Sequence, residues 1–226
     1  MRGGIVRLAG WERAARLEHL YRQQLSAKHP GLYSLKEGET GGANPLAPHP
    51  FSLCADGRLR SDCIGAALWG QGIDRYQQKR FPWYGGWCNT DSICIDALGD
   101  YVVTGRGLKD AKPTRALFHP VTAPRVGTLV VYPARYASGK KVNGSWGHIL
   151  TVVHVGLELV VWPGLVAAAS KLMVVHCHGG ARGREVRAIA RQTLRAAIGA
   201  NVSRAHLIEL VLPPAAHLQS VPEDVG

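Results

Sequence analysis

Acidic residues are scarce in this chain: 16 Asp and Glu stand against 27 Lys and Arg in 226 residues, a formal net charge of +11. A surface so short of carboxylates draws polyanions, of which nucleic acid, anionic lipid and the acidic polymers of a bacterial envelope all qualify. Charged residues of either sign reach only 19% while hydrophobic ones make up 46%, a balance that excludes a disordered chain and leaves material for a packed core. The five cysteines, at 54, 63, 88, 94 and 177, are odd in number and irregular in spacing, which excludes a disulfide scaffold and leaves at least one thiol free. No C-x-x-C pair occurs, and Cys88-x5-Cys94 or His176-Cys177-His178 alone is a poor zinc pattern. The motifs G-x-x-x-x-G-K-[ST] and H-E-x-x-H are missing, as is any G-x-G-x-x-G that opens a helix, so nucleotide and zinc-protease chemistry lose their signatures. Neither a metal nor an organic cofactor is expected.

Long apolar runs are also lacking. The opening segment MRGGIVRLAGWERAARLEHL has no continuous apolar stretch of the length a secretory signal needs, so the chain is expected to be made in the cytoplasm without a signal peptide. Ile149 to Ala169 is the one candidate for a membrane span, but His154, Glu158, Pro163 and two glycines interrupt it, and short buried strands are the better reading. An integral membrane protein is not expected. Asn143 in NGS and Asn201 in NVS fit the glycosylation pattern, but without a secretory signal they read as chance matches.

What is present reads as one α+β domain with decorated ends. Residues 11–25 place Trp11, Ala14, Leu17, Leu20, Tyr21 and Leu25 at near-helical spacing, an amphipathic helix. From Lys28 to Pro50 glycine, proline and histidine punctuate too often for regular structure, which predicts an ordered loop. In SDCIGAALWGQG, Ser61 or Asp62 can cap a helix with Ile64, Ala67 and Leu68 on its apolar face, and Gly70 or Gly72 can close it. Residues 73–99 read as an insertion whose second half is a short helix. From Gly127 the pattern turns to β in GTLVVYP, HILTVVHV, ELVVW and LMVVHC, successive strands that imply an antiparallel sheet. GREVRAIARQTLRAAIG then predicts a helix, with Val186, Ile189, Ala190, Thr193, Leu194 and Ala197 on one face, and HLIELVL predicts an edge strand.

The chemistry rests on one cysteine and a later histidine. A thiol attacks as thiolate, and its free pKa of about 8.5 leaves little of that form at neutral pH. A helix N-terminus and a nearby imidazolium both favour it, and Cys63 falls in the first turn of its predicted helix. A buried inert cysteine is the alternative. His148 stands at the mouth of an apolar strand, where an imidazole is held firmly. A helix-borne cysteine, then a strand-borne histidine, then a polar residue on a following strand is the order of papain-like hydrolases.

The run SDCIGAALWGQGIDRY resembles the nucleophile segment of the NlpC/P60 superfamily, in which an Asp-Cys pair opens a helix backed by small and apolar residues. GTLVVYP with GHILTVV resembles that family's strand pair, whose catalytic histidine follows a glycine, and VVHCHGG resembles the strand end bearing its third residue. The Gly- and Pro-rich lead with Pro50-Phe51 is most similar to phage-borne members. The likeness covers residues 44–180, with an N-terminal helix and loop in 1–43 and a basic helix and C-terminal strand and tail in 181–226, parts of the same domain. It implies a papain-like NlpC/P60 fold, the nucleophile helix packed on an antiparallel sheet. It also implies Cys63 as nucleophile, His148 as base and His176 as the residue that orients it. His178, two places on and on the same strand face, is the other candidate for that third position. Between His148 and His176 lie 27 residues, so GLVAAAS reads as an insertion or short helix. An upstream Tyr helps bind the oxyanion in some members, whereas this chain has Phe51 in the comparable stretch.

The function expected from the resemblance is a peptidoglycan endopeptidase or amidase, a cysteine hydrolase acting through a thioester acyl-enzyme on bacterial cell wall, as in phage lysis. The rivals are a basic nucleic-acid-binding protein with a structural Cys63, and an acyltransferase or deamidase on the same fold. Arg184, Arg187, Arg191 and Arg195 recur at helical intervals and are expected to form a stripe that holds acidic wall polymers, a solvated charged face being the plainer reading.

Overall fold

A computed structural model describes residues 6–26, 31–34, 44–75, 88–99, 112–137, 140–156, 162–178 and 188–212. The first element is helix α1 (Gly10–Ser26), which buries Ala14, Leu17 and Leu20 as its spacing predicts. Trp11, placed on that face by the same spacing, is instead 66% exposed. Strands β1 (Leu32–Tyr33), β2 (Ser52–Leu53) and β3 (Leu59–Ser61) form a small three-stranded sheet in the order β1-β3-β2, and β1 falls inside the stretch from Lys28 to Pro50 that the sequence predicts to be a loop.

Helix α2 (Cys63–Gln71) follows at once and is buried along its whole length. Asp62 caps it, accepting the Gly65 N–H at 2.7 Å, and Gly72, at φ 76°, closes it in the left-handed conformation that favours glycine. Gly70 has a different task. A Cβ there would lie 2.8 Å from the Leu17 side chain, so the crossing of α1 over α2 depends on its absence. Helix α3 (Thr90–Leu98) supplies the helix expected late in the 73–99 segment, with Asn89 and Ser92 capping its start reciprocally.

Six strands make the main sheet: β4 (Phe118–Pro120), β5 (Leu129–Tyr132), β8 (His148–His154), β9 (Met173–Cys177), β10 (Ile189–Thr193) and β11 (His206–Leu210). Their order is β10-β9-β8-β5-β11-β4, every neighbour antiparallel. Strands β6 (Tyr136–Ala137) and β7 (Lys140–Lys141) form a separate hairpin between β5 and β8. Alternation along the strands divides two cores. Leu129, Val131 and Ile149 face α2 and α3. Val130, Leu150, Val152 and Val174 face α4 (Leu165–Ala168), α5 (Leu194–Ile198) and the 3-10 turn Gly199–Arg204. Both faces are therefore covered, which is why these strands read as nearly continuous apolar runs. The architecture is α+β with an antiparallel sheet, and GLVAAAS contains the short helix α4.

Two expectations need correction. Of the helix predicted over 183–199, residues 183–187 lie outside the described residues, Ile189–Thr193 is strand β10, and Leu194–Ile198 is helical. Apolar residues spaced three, one and three apart fit a helix locally, but the open edge of β9 offers five residues of ladder pairing, and Thr193 caps α5 by accepting the Ala196 N–H. The arginine stripe goes with that helix. Arg191 lies on the strand and bonds Glu18 of α1 at 2.7 Å, Arg195 donates to the Val166 carbonyl at 2.8 Å, and Arg184 and Arg187 lie outside the described residues. The second correction concerns HLIELVL, which is no edge strand: β11 sits between β5 and β4, and β4, unforeseen in the sequence, takes the edge. Most of ELVVW lies outside the described residues.

Strand β4 is held to α3 by one buried carboxylate. Asp96 accepts the N–H groups of Ala116, Leu117 and Phe118 at 2.8–3.0 Å and the Thr114 hydroxyl. Replacing Asp96 by Ala orphans these donors at about 1–3 kcal/mol for each that water cannot reach. Urea unfolding of Asp96→Ala is expected to show a loss of about 3 kcal/mol or more with an unchanged m-value; a loss under about 1 kcal/mol would mean that the donors find other partners.

Candidate active site

The N-cap carboxylate that starts α2 also fixes the surroundings of Cys63. Asp62 receives both terminal nitrogens of Arg75, at 2.6 and 2.7 Å, and the two side chains are only 6% and 3% exposed. One oxygen of this pair is the one that caps the helix, so charge pairing and capping hold the same group. Cys63, next in the chain, is 5% exposed. Its Sγ accepts the backbone N–H of Ile149 and hydrogen-bonds the side chain of Tyr33. The thiol thus meets strand β8 at the residue that follows His148.

Gly147 lets the strand come so close. A Cβ at this position would lie 2.2 Å from Thr90 Oγ1 and 2.7 Å from the Tyr132 carbonyl, so no other residue fits before His148 without moving α3 or β5. His148 Nε2 lies 2.7 Å from His176 Nδ1, the two rings meeting edge to face at 80°. That contact leaves His148 Nδ1 as the nitrogen for a proton in transit. His178 stacks on His176, with centroids 5.0 Å apart and planes at 20°, so of the two later histidines it is His176 that meets His148. Beyond it, Gln192 of β10 brings its side-chain nitrogen to 3.0 Å from His176 Nε2.

The three histidines and Gln192 border a cavity of about 800 Å³ whose lining also includes Tyr33, Tyr132, Arg135 and Trp146, while Cys63 lies behind it, next to Tyr33. No carboxylate stands among the described lining residues. Lys141 lies 3.5 Å over the exposed Trp146 ring, adding a second positive group to the rim. Among the described residues no set of three His, Cys, Asp or Glu is arranged to hold a metal.

The resting site is uncharged at its centre. Burial, and after it the Asp62 carboxylate, pushes the Cys63 thiol up to about 12, against the opposing pull of Arg75, the Ile149 N–H and Tyr33. Desolvation lowers His148 to about 4, with His178 adding to it. His176 falls to about 2, from burial first and then from His148 and His178. Low dielectric penalises the charged form of each group, so thiol and imidazoles stand neutral together at pH 7. A standing thiolate–imidazolium pair, which a helix start and a nearby histidine would favour, is thus not the resting state.

Of the residues singled out in the sequence, His148 and His176 are brought into contact, and Cys63 reaches strand β8 at Ile149, the neighbour of His148. Tyr33 was hidden in a loop segment, where its only signal is a lone aromatic hydroxyl among turn residues. Gln192 was misplaced onto a helix. Phe51 is not at the thiol: its ring occupies the space that a Gly31 Cβ would take, 2.4 Å from that position, two residues before Tyr33. The hydroxyl missing from Phe51 is present in Tyr33.

No protein-family model matches the chain, and no curated protein does. The reading of the site therefore rests on its residues and geometry.

Two outcomes follow from the neutral centre. Alkylation of Cys63 by iodoacetamide, followed by peptide mass mapping, should rise steadily through pH 9 with no plateau near neutrality; a plateau by pH 7 would reveal a thiolate already formed. Stability should fall with acid, because the unfolded histidines take protons below about 6.5 whereas folded His148 and His176 refuse them until about 4 and about 2. That contribution is complete above pH 6.5 and lost as pH falls through this window. His176→Gln should have a flatter dependence of urea midpoint on pH between 7 and 4 than the parent, and equal slopes would contradict the assignment.

Proposed function

We propose that this chain is a cysteine hydrolase of the NlpC/P60 kind, with a papain-like fold, that cleaves peptide or amide bonds of bacterial peptidoglycan. The observation that carries the reading is the meeting of Cys63, at the start of a buried helix, with the strand whose first residue is His148, itself bonded to His176. That is the order and spatial logic of a nucleophile, a base and an orienting group.

The chemistry runs as acyl transfer to sulfur. As Sγ attacks the scissile carbonyl carbon, its proton passes to His148 Nδ1 and the C=O pair becomes an oxyanion. The backbone N–H of Cys63, which has no intrahelical acceptor at the first position of α2, and the Tyr33 hydroxyl are the donors for that oxyanion. His148 then gives its proton to the departing amine, the C–N bond breaks, and a thioester remains. Water attacks it with His148 taking the proton, and collapse returns the Cys63 thiol and a free carboxylic acid. Since thiol and imidazole begin neutral, the proton moves with the attack and not before it. His176 occupies His148 Nε2 and so leaves Nδ1 as the nitrogen that takes the thiol proton.

The nucleic-acid-binding rival finds less support in the geometry. Within its expected basic helix Ile189–Thr193 is a strand, and Arg191 and Arg195 are each engaged within the protein. Acid wall polymers remain candidate partners through the overall positive charge, not through that stripe.

The test is mass spectrometry of purified muropeptides after incubation with parent and variant proteins. Cys63→Ala should abolish cleavage while folding stays intact, and His148→Ala should come close to it because members of one catalytic unit are strongly non-additive. Tyr33→Phe should lower kcat by about 10²-fold, the usual cost of one oxyanion donor. His176→Ala should be milder than His148→Ala. Unaltered cleavage by Cys63→Ala would sink the mechanism, and products with a transferred acyl group would move the chemistry to acyltransfer on the same thioester.

A further inference from the structure

The histidine relay does not end at His176. Register places Ala190 opposite His176 and Gln192 opposite Val174, so the Gln192 side chain leaves the same sheet face one diagonal step away and meets His176 Nε2 at 3.0 Å. With His148 Nε2 on His176 Nδ1 at 2.7 Å, three side chains from three adjacent strands form a single hydrogen-bonded row.

In such a row the proton positions are not independent. A neutral imidazole carries one N–H, which donates, and one bare nitrogen, which accepts. If an amide N–H of Gln192 donates to His176 Nε2, the His176 proton must sit on Nδ1 and donate to His148 Nε2. His148 then carries its own proton on Nδ1 and has no lone pair there to receive the thiol proton. If the amide oxygen faces His176 instead, every donor reverses: His176 Nε2–H donates to Gln192, His148 Nε2–H donates to His176, and His148 Nδ1 is bare. Amide nitrogen and oxygen are nearly equal in shape, so a half-turn of the terminal carboxamide exchanges the two states within the same packing.

We infer that Gln192 is a positioning residue for the reaction proposed above, and that its amide orientation selects the tautomer of His148 through His176. The oxygen-facing orientation is the working state and the nitrogen-facing one the idle state. Gln192 touches neither the thiol nor the scissile bond, and its whole effect passes through proton placement. His178 meets His176 face to face, so that contact is a stack and not a hydrogen bond of this row.

The decisive measurement is the tautomer of His148 and His176 from long-range proton–nitrogen NMR spectra of imidazole-labelled protein at pH 8, for the parent, Gln192→Glu and Gln192→Leu. A glutamate only accepts, so Gln192→Glu should place the protons of both histidines on Nε2. Gln192→Leu removes the selector and should give a mixture at His148. Turnover of a muropeptide is the second readout: Gln192→Leu should lower kcat about tenfold at near-constant KM, because part of the population keeps a competent base, against the ~10⁴-fold cost of a wholly wrong tautomer. Gln192→Glu should recover much of that loss. Identical His148 tautomers in all three proteins would overturn the inference. The NMR result decides it even for a protein that cleaves no wall peptide, whereas absence of cleavage by the parent would overturn only the hydrolase reading.

Discussion

The buried pair of Asp62 and Arg75 is the constraint on which the rest of the site depends. A carboxylate and a guanidinium that are both almost wholly removed from water must stay together, since stripping either partner leaves a charge of several kcal/mol uncompensated. Their bidentate contact fixes Asp62, Asp62 fixes the first turn of α2, and the first turn fixes Cys63. The same carboxylate discourages ionisation of the adjacent thiol while Arg75 favours it. Structure and reactivity are thus set by one ion pair, and they cannot be adjusted separately.

Around that anchor the fold draws on groups from five segments. Tyr33 comes from a short strand beside β3, Cys63 from α2, His148 and His176 from the middle of the sheet, and Gln192 from its edge strand. Each approach is made possible by something small. Gly70 lets α1 cross α2, and Gly147 lets β8 lie against Thr90 and the Tyr132 carbonyl. The centre that results is buried and neutral, and its histidines are linked by hydrogen bonds instead of charge.

The parts of this arrangement that could be read in the sequence are those with a local cause. Asp62 before a run of small and apolar residues signals a capped helix, and β-branched runs bounded by glycine and proline signal β5, β8 and β9. The parts that could not be read have non-local causes. Ile189–Thr193 carries a spacing that fits a helix, and only the open edge of β9, 16 residues back at His176 from Gln192, makes a strand of it. Leu32–Tyr33 is too short to carry a period, and it becomes a strand by pairing with residues 60 and 61. Phe51 stands where the resemblance to the NlpC/P60 superfamily expects a Tyr, whereas the hydroxyl beside Cys63 is that of Tyr33, brought there by the pairing of β1 with β3.

The order β8-β5-β11-β4 has a consequence for how the protein is made. Strand β11 is the last element of the described chain, and it lies between β5 and β4, two strands that precede it by some 75 to 90 residues. While the ribosome is still holding residues 206–210, β4 has no neighbour in the sheet and the lower side of β5 is an open edge. The sheet can grow from β5 through β8 and β9 to β10 as each emerges, but its other side closes only after synthesis has passed β11. Such long-range pairing is slow and exposes a strand edge while it waits. Asp96 ties the chain from Thr114 to Phe118, the first residue of β4, to helix α3, an anchor for β4 that does not depend on β11.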